Sequence, residues 1–233
     1  MIRNVGNTCY LGSALQCILR TPGFCHNNRY FFREFKKSRR VHDPAELYRD
    51  IRSHYPYFGV NEQHDCHEAI SVILDFLKSD AIFKLTLRNV ITCEACGAQT
   101  SNEEVEYGLY DHYFTGSNLE RLEGYTCETC KQSCCHRSHI ITKYPPILIV
   151  KLPEDRLEGF VALESVTVED EEYRLYAFCI HQPIGDGGHY AAVVRNHDGV
   201  WTRYDDDTCW DVELTVELFS KASVMFLRSC RFS

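Results

Sequence analysis

Apolar residues recur at helical spacing through the first third of the chain. Those within residues 10–19 share one face, which predicts a helix that the Thr-Pro-Gly sequence at 21–23 ends. A second helix is predicted from Pro44, and a third, strongly amphipathic helix follows Asp65. Residues 1–85 are therefore predicted to be mostly helical.

The pattern changes beyond residue 85. Alternating apolar and polar positions predict a strand at 83–92, and β-branched and aromatic runs from residue 139 onward predict an antiparallel sheet. We expect an α+β fold in a single domain over residues 1–233. Its parts would be a helical lobe (1–85), a cysteine-bearing β insertion (86–140) and a β-rich lobe (141–233).

Composition and charge restrict the classes of function that the chain could have. At 233 residues and 44% hydrophobic content, the chain can bury one substantial core. The formal net charge of −8, without a basic stripe, argues against nucleic-acid binding and favours a basic or neutral protein partner. No apolar run reaches the length that crosses a bilayer, and no secretory signal segment is apparent. We expect a monomer with no membrane or nucleic-acid partner.

The cysteines indicate both a compartment and a metal. Thirteen cysteines, an odd number arranged in short-spaced pairs, favour metal binding in the reducing cytoplasm or nucleus over a disulfide scaffold. Two CxxC pairs have the spacing of structural Zn²⁺ knuckles. Cys134 or Cys135 could replace a member of the second pair, and the sequence leaves this open. The candidate ligands are Cys93, Cys96, Cys127 and Cys130.

Cys9 lies where a loop-forming stretch, NVGNT, runs into the first predicted helix. Unpaired N–H groups at a helix start favour a thiolate, so Cys9 is a candidate nucleophile. His189 follows a glycine turn and opens a β-run, and antiparallel pairing would bring it beside Asp205 at the end of the next strand. Asn4 supplies an amide donor for an oxyanion. Taken singly, His189 also fits a core histidine and Asp205 a turn residue; their order after Cys9 favours nucleophilic catalysis.

Three stretches resemble the motifs of one family, the ubiquitin-specific proteases. NVGNTCYLGSALQ resembles that family's Cys box, and GGHYAAVVR followed by WTRYDDD resembles its His box. QHDCHEAISVILDFL is similar to its Gln-x-Asp-x-x-Glu helix motif. The match runs in order through nearly the whole chain. One departure stands beside the nucleophile, because Leu11 and Gly12 occupy positions where the family usually has Met-Asn.

The resemblance implies a papain-like cysteine protease with a helical thumb, zinc-tipped β-hairpin fingers and an antiparallel palm. The implied activity is deubiquitination, the thiol-dependent hydrolysis of isopeptide or peptide bonds after the C-terminal glycine of ubiquitin. The implied partners are ubiquitin and ubiquitinated proteins, and the implied cofactor is structural Zn²⁺ held by the two CxxC pairs. Two alternatives stay open: a protease for a ubiquitin-like modifier, and a catalytically weak ubiquitin-binding module.

The resemblance also implies a role for individual residues. Cys9 matches the nucleophile, His189 the general base and Asp205 the residue that orients it. Asp206 matches a neighbouring acid that assists or substitutes in some members, and Asn4 matches the oxyanion amide.

Two further residues match substrate-binding positions in the helix motif. Asp65 matches an acid that holds a basic side chain of ubiquitin's tail, which suits the chain's negative charge. Gln63, two residues earlier, is expected to bind substrate as well.

Overall fold

In a computed structural model, the structure describes residues 1–24, 35, 40–59, 62–78, 80–110, 119–153, 165–168, 170–185 and 187–232. The α+β fold class is confirmed, with helices concentrated in the first part of the chain and strands after it. The helices in the described residues are α1 (Cys9–Leu19), α2 (Ala45–His54), α3 (Cys66–Leu77), α4 (Asp80–Phe83) and α5 (Val216–Ser220).

The strands in the described residues form two sheets. They are β1 (Leu85–Cys93), β2 (Gln99–Glu106), β3 (Leu109–Tyr110), β4 (Leu119–Arg121), β5 (Cys135–Lys143), β6 (Ile147–Lys151), β7 (Ser165–Val168), β8 (Glu171–Ile184), β9 (Gly187–Arg195), β10 (Trp201–Asp205), β11 (Thr208–Val212) and β12 (Ala222–Ser229). One sheet has four antiparallel strands in the order β2-β1-β5-β4, and the other has eight, in the order β11-β10-β9-β8-β12-β6-β3 with β7 paired to β8. The division of the chain at residues 85 and 140 stays a prediction.

Helix α1 is buried along nearly its whole length. It packs against α3 on one side and against β8, β9 and β10 on the other, so apolar residues surround its axis. The helix begins at Cys9, one residue earlier than the predicted start, with Thr8 at the N-cap position. Because the helix is enclosed, its packing fixes where its first residue lies.

Helix α3 begins where the sequence predicted. The Asp65 side chain caps it by accepting a hydrogen bond from the His67 backbone N–H at 2.6 Å. The Cys66 thiol contacts the Tyr10 carbonyl oxygen at 3.5 Å and so ties the start of α3 to α1. None of the helices in the described residues is long and apolar enough to cross a bilayer.

Apolar side chains cover the eight-stranded sheet on both faces. Along β9, Ala192 and Val194 join the cluster under α1, whereas Ala191 and Val193 join a second cluster on the opposite face. The sheet is thus rigid at its centre. At the beginning of β9, His189 is half-buried.

Candidate active site and metal centre

His189 and Asp205 lie on neighbouring antiparallel strands, β9 and β10. The His189 Nε2 atom is 2.5 Å from the Asp205 Oδ1 atom. An ionised carboxylate only accepts hydrogen bonds, so Nε2 carries the proton in this pair. In the neutral imidazole, Nδ1 is then the acceptor nitrogen, and it is the atom able to take a proton from a thiol.

Asp205 also binds Arg203, a residue that the sequence analysis did not single out. The Arg203 Nη2 atom donates to Asp205 Oδ2 at 2.6 Å. Burial raises the pKa of Asp205, but hydrogen bonds from His189 and Arg203 outweigh it and leave the pKa below its ordinary value. The sequence could have indicated Arg203, because side chains alternate along a strand and residues 203 and 205 therefore lie on one face.

The Cys9 thiol lies among backbone N–H groups at the start of α1 and beside Tyr190, the residue after His189. Burial raises the pKa of Cys9 most and the charge of Asp206 raises it further, whereas the N–H groups of Tyr190, Tyr10 and Cys9 itself lower it. The pKa is raised overall. The N–H groups at the helix start thus lower the pKa of Cys9, as the sequence predicts, but burial outweighs them.

The Asn4 side chain is fixed by its own loop. Its Oδ1 atom accepts hydrogen bonds from the Gly6 N–H, the Thr8 N–H and the Thr8 hydroxyl, each at 3.1 Å. Its Nδ2 atom donates to Asp206 Oδ2 at 3.2 Å. The amide carries a second N–H on Nδ2, and its role as an oxyanion donor stays a prediction.

Asp206 follows β10 with a φ of 51°, in the left-handed region. Its carbonyl oxygen accepts from the Ile2 N–H at 3.3 Å, while its carboxylate accepts from Asn4. Burial raises the pKa of Asp206, although the Asn4 hydrogen bond acts in the opposite direction. The two neighbouring acids thus have different partners: Asp205 holds the imidazole, and Asp206 holds the amide.

Gln63 and Asp65, which the resemblance implies bind substrate, both contact other residues of this chain. Gln63 Oε1 accepts from the Gly188 N–H at 3.0 Å, and a Cβ at Gly187 would collide with the same oxygen. Asp65 forms an ion pair with Lys151 of β6 at 3.2 Å. Gln63 therefore supports the turn before His189, and Asp65 links α3 to the large sheet. Their binding of substrate stays a prediction.

The departure at Leu11 and Gly12 leaves space next to a buried hydroxyl. Leu11 is fully buried. A Cβ at Gly12 would lie 3.8 Å from the Tyr48 Oη atom and 3.9 Å from the Ile2 Cγ2 atom, which is ordinary contact. The buried Tyr48 hydroxyl has no hydrogen-bond partner among the described residues.

Four cysteine sulfurs converge at the tip of the four-stranded sheet, all within 4.8 Å of one another. The measured separations are 3.5 Å for Cys93–Cys130 and 3.7 Å for Cys96–Cys127. Zn–S bonds of about 2.3 Å in a tetrahedron place sulfurs about 3.8 Å apart. The donor set and its spacing therefore fit Zn²⁺.

Cys134 and Cys135 lie beside this cluster but outside it. The Cys134 sulfur is 4.0 Å from that of Cys93, yet it does not belong to the set in which every sulfur lies within 4.8 Å of every other. Cys135 is buried and pairs with Cys93 across β1 and β5. The geometry favours the two CxxC pairs as the ligand set.

An acidic cavity of about 170 Å³ lies between α3 and the four-stranded sheet. Glu104 and Glu106 line it from β2, and His67 and His139 line it from α3 and β5. Burial and the charge of Glu104 raise the pKa of Glu106. The two carboxyl groups make this hollow acidic.

Comparison with known proteins decides the family. Residues 2–227 match the family model described as ubiquitin carboxyl-terminal hydrolase. The chain belongs to that family. The match contains all the candidate site residues, from Asn4 to Asp206, and the two CxxC pairs.

Curated members of the ubiquitin carboxyl-terminal hydrolase family resemble the chain over most of its length. Ubiquitin carboxyl-terminal hydrolase 25 of Arabidopsis thaliana is 22% identical and aligns with 97% of this chain but 46% of its own length. Human ubiquitin carboxyl-terminal hydrolase 17-like protein 13 is also 22% identical, over 97% of this chain and 55% of its own. The chain thus spans about half the length of these two relatives.

Solved structures of the same family share the fold. The SAGA DUB module that contains Ubp8, bound to monoubiquitin, superposes with a TM-score of 0.75 at 16% identity, covering 98% of this chain and 68% of the other. The same module bound to ubiquitin aldehyde gives a TM-score of 0.74 at 15% identity, with coverages of 98% and 69%. The predicted thumb, fingers and palm are confirmed: the thumb carries α1 to α3, the four-stranded sheet forms the fingers, and the eight-stranded sheet forms the palm.

Proposed function

We propose that this chain is a thiol-dependent deubiquitinase that hydrolyses isopeptide or peptide bonds after the C-terminal glycine of ubiquitin. The observation that carries the proposal is the hydrogen bond from His189 Nε2 on β9 to Asp205 on β10. The residue after His189, Tyr190, has its backbone N–H beside the Cys9 thiol. The bond to Asp205 leaves Nδ1 of His189 as the base. Membership of a family of ubiquitin hydrolases supports Cys9 as the nucleophile, His189 as the oriented base and Asn4 as the amide donor.

His189 Nδ1 accepts the Cys9 proton as the sulfur attacks the carbonyl carbon of ubiquitin's last glycine. Because burial raises the pKa of Cys9, the thiol stays protonated until a base takes its proton. Asp205 stabilises the imidazolium that forms. His189 then gives its proton to the departing lysine amine, and water hydrolyses the thioester to release ubiquitin with a free carboxylate.

The oxyanion of each tetrahedral intermediate accepts a hydrogen bond from the second Nδ2–H of Asn4. The loop bonds to Asn4 Oδ1 hold the amide in place before substrate arrives, so no reorganisation is needed during the reaction. Preorganised donors of this kind act on charge that develops only in the transition state.

The acidic hollow and the net charge of −8 support ubiquitin and ubiquitinated proteins as partners, with basic side chains facing Glu104, Glu106 and Asp65. Zn²⁺ at the fingertip would be structural, joining the ends of strands that have little core of their own. We further propose a monomer in the cytoplasm or nucleus, where thiols stay reduced.

A ubiquitin that carries a C-terminal electrophile tests the proposal. We expect a covalent adduct, one ubiquitin heavier by mass spectrometry, with the wild type and none with Cys9→Ala. Cys209→Ala, which removes an exposed cysteine, is the matched control and should react like the wild type. An adduct that survives Cys9→Ala, or a wild type that never reacts, contradicts the proposal.

The same probe distinguishes the open alternatives. Ubiquitin-like modifiers with the same diglycine end and electrophile should react at least tenfold more slowly than ubiquitin. Faster reaction with one of them would reassign the substrate. Binding of ubiquitin without adduct formation would identify a binding module instead of an enzyme.

A further inference from the structure

We infer that Arg203 is a positioning residue for the proposed hydrolysis, clamping the Asp205 carboxylate so that one oxygen faces His189. The inference rests on the proposed function for its kinetic consequence. Arg203 Nη2 holds Oδ2 at 2.6 Å, and His189 Nε2 holds Oδ1 at 2.5 Å. With each oxygen held by a different partner, the carboxylate cannot rotate without breaking a charge-assisted hydrogen bond.

Arg203 is itself held from three strands of the palm. It lies on β10, and its Nη2 atom also donates to Gln182 Oε1 on β8 at 3.3 Å. On β11, Trp210 is its cross-strand partner, and the guanidinium carbon is 5.2 Å from the Trp210 ring centroid. Gln182 is in turn the cross-strand partner of His189. The guanidinium therefore connects β8, where Gln182 lies opposite His189, with β10 and β11.

Shielding from water strengthens this ion pair. The side chains of Arg203 and Asp205 are 16% and 19% exposed, well below the exposure of an ordinary surface pair. Trp210 is 46% exposed, an unusual place for tryptophan, and it covers the guanidinium on the solvent side. Both hydrogen bonds come from the single atom Nη2, so a lysine ammonium could replace them, but lysine has no planar group to stack on the Trp210 ring.

The kinetic test compares Arg203→Gln with Arg203→Lys, using fluorogenic ubiquitin. We expect Arg203→Gln to lower kcat about tenfold, with KM within twofold of the wild type, because substrate binding does not use the clamp. Arg203→Lys should recover part of the loss by restoring the charge. Arg195→Gln, an exposed arginine at the end of β9, is the matched control and should leave kcat unchanged.

The pH profile separates positioning from a merely structural role. Asp205 is ionised above its pKa, and loss of the Arg203 cation raises that pKa. The acid-side decline of kcat should therefore begin at higher pH in Arg203→Gln than in the wild type. Unchanged kcat, or a decline in proportion to lost folded protein with an unshifted acid limb, would overturn the inference.

A measurement without substrate keeps this inference distinct from the proposed function. The proton between His189 and Asp205 should give a downfield NMR resonance, assigned by its loss in His189→Gln. We expect Arg203→Gln to shift or broaden that resonance and Arg195→Gln to leave it in place. If the resonance is unaffected in Arg203→Gln, the clamp is refuted; if it responds but the wild type ignores the ubiquitin probe, the proposed function alone fails.

Discussion

The Asn4 amide and the Asp206 carboxylate, 202 residues apart in sequence, are joined by a hydrogen bond of 3.2 Å. The nucleophile loop is thereby attached to the end of β10, the strand that also carries Asp205. Asp206 contacts Asn4, the proposed oxyanion donor, whereas Asp205 contacts His189, the proposed base. Substitution of Asp205 should therefore affect His189, whereas substitution of Asp206 should affect Asn4.

Removal of the Asn4 amide should slow catalysis without weakening substrate binding. We expect Asn4→Ala to lower kcat about 10²- to 10³-fold, the range typical for loss of one oxyanion donor. Steady-state kinetics with fluorogenic ubiquitin measure this, and calorimetry on the Cys9→Ala background measures ubiquitin affinity. A kcat within threefold of the wild type would exclude Asn4 as an oxyanion donor.

Neutralising Asp206 should make the Cys9 thiol more reactive. After burial, the Asp206 charge is the main influence that raises the pKa of Cys9, so Asp206→Asn should lower that pKa. At a fixed pH below the pKa, more thiolate is then present, and iodoacetamide should alkylate Cys9 about three- to tenfold faster. Peptide mass spectrometry resolves Cys9 from the other cysteines. Asp207→Asn is the control, and an equal acceleration there would contradict the specific effect of Asp206.

Alanine at Gly12 should stabilise the protein. Glycine inside a helix is less favourable than alanine by about 0.5–1 kcal/mol, and the added Cβ would make only ordinary contacts at 3.8 and 3.9 Å. We expect the urea midpoint of Gly12→Ala to rise accordingly. Gly199→Ala is the opposite case, because a φ of 86° strains any side chain there. A lower midpoint for Gly12→Ala would mean that the space beside Tyr48 is required.

The fingertip should bind one zinc ion per chain through the two CxxC pairs. Elemental analysis should find about one zinc in the wild type and in Cys134→Ser, because Cys134 lies outside the mutually close set. Cys93→Ser and Cys127→Ser should lose the metal, and a chelator should lower the wild-type melting temperature. Cys230→Ser, at an exposed cysteine, is the control. Zinc retained in Cys93→Ser but lost in Cys134→Ser would reverse the ligand assignment.

Periodicity and motif order predicted the fold and the contact between His189 and Asp205, because both depend on local sequence patterns. The buried face of α1 and the cap at Asp65 follow from neighbouring residues, and the His189–Asp205 pairing follows from consecutive strands. The structure brings these residues together as that pattern requires.

The burial of a residue and its contacts with distant residues could not be predicted from the sequence. The pKa of Cys9 is raised because α1 is enclosed on several sides, which no local pattern reports. Lys151 meets Asp65, and Gly188 meets Gln63, across 86 and 125 residues. Arg203 was overlooked for another reason: a basic residue in a polar strand usually marks a solvated face.

The contacts at the start of α3 bear on the order in which parts of the chain meet during folding. His189 meets Asp205 across only 16 residues, a separation that a single hairpin closes quickly, whereas residues 63–66 at the start of α3 reach β9, β6 and α1 across 125, 86 and 56 residues. The His189–Asp205 pair can thus form by local folding, whereas the contacts around the start of α3 form only when distant parts of the chain have met.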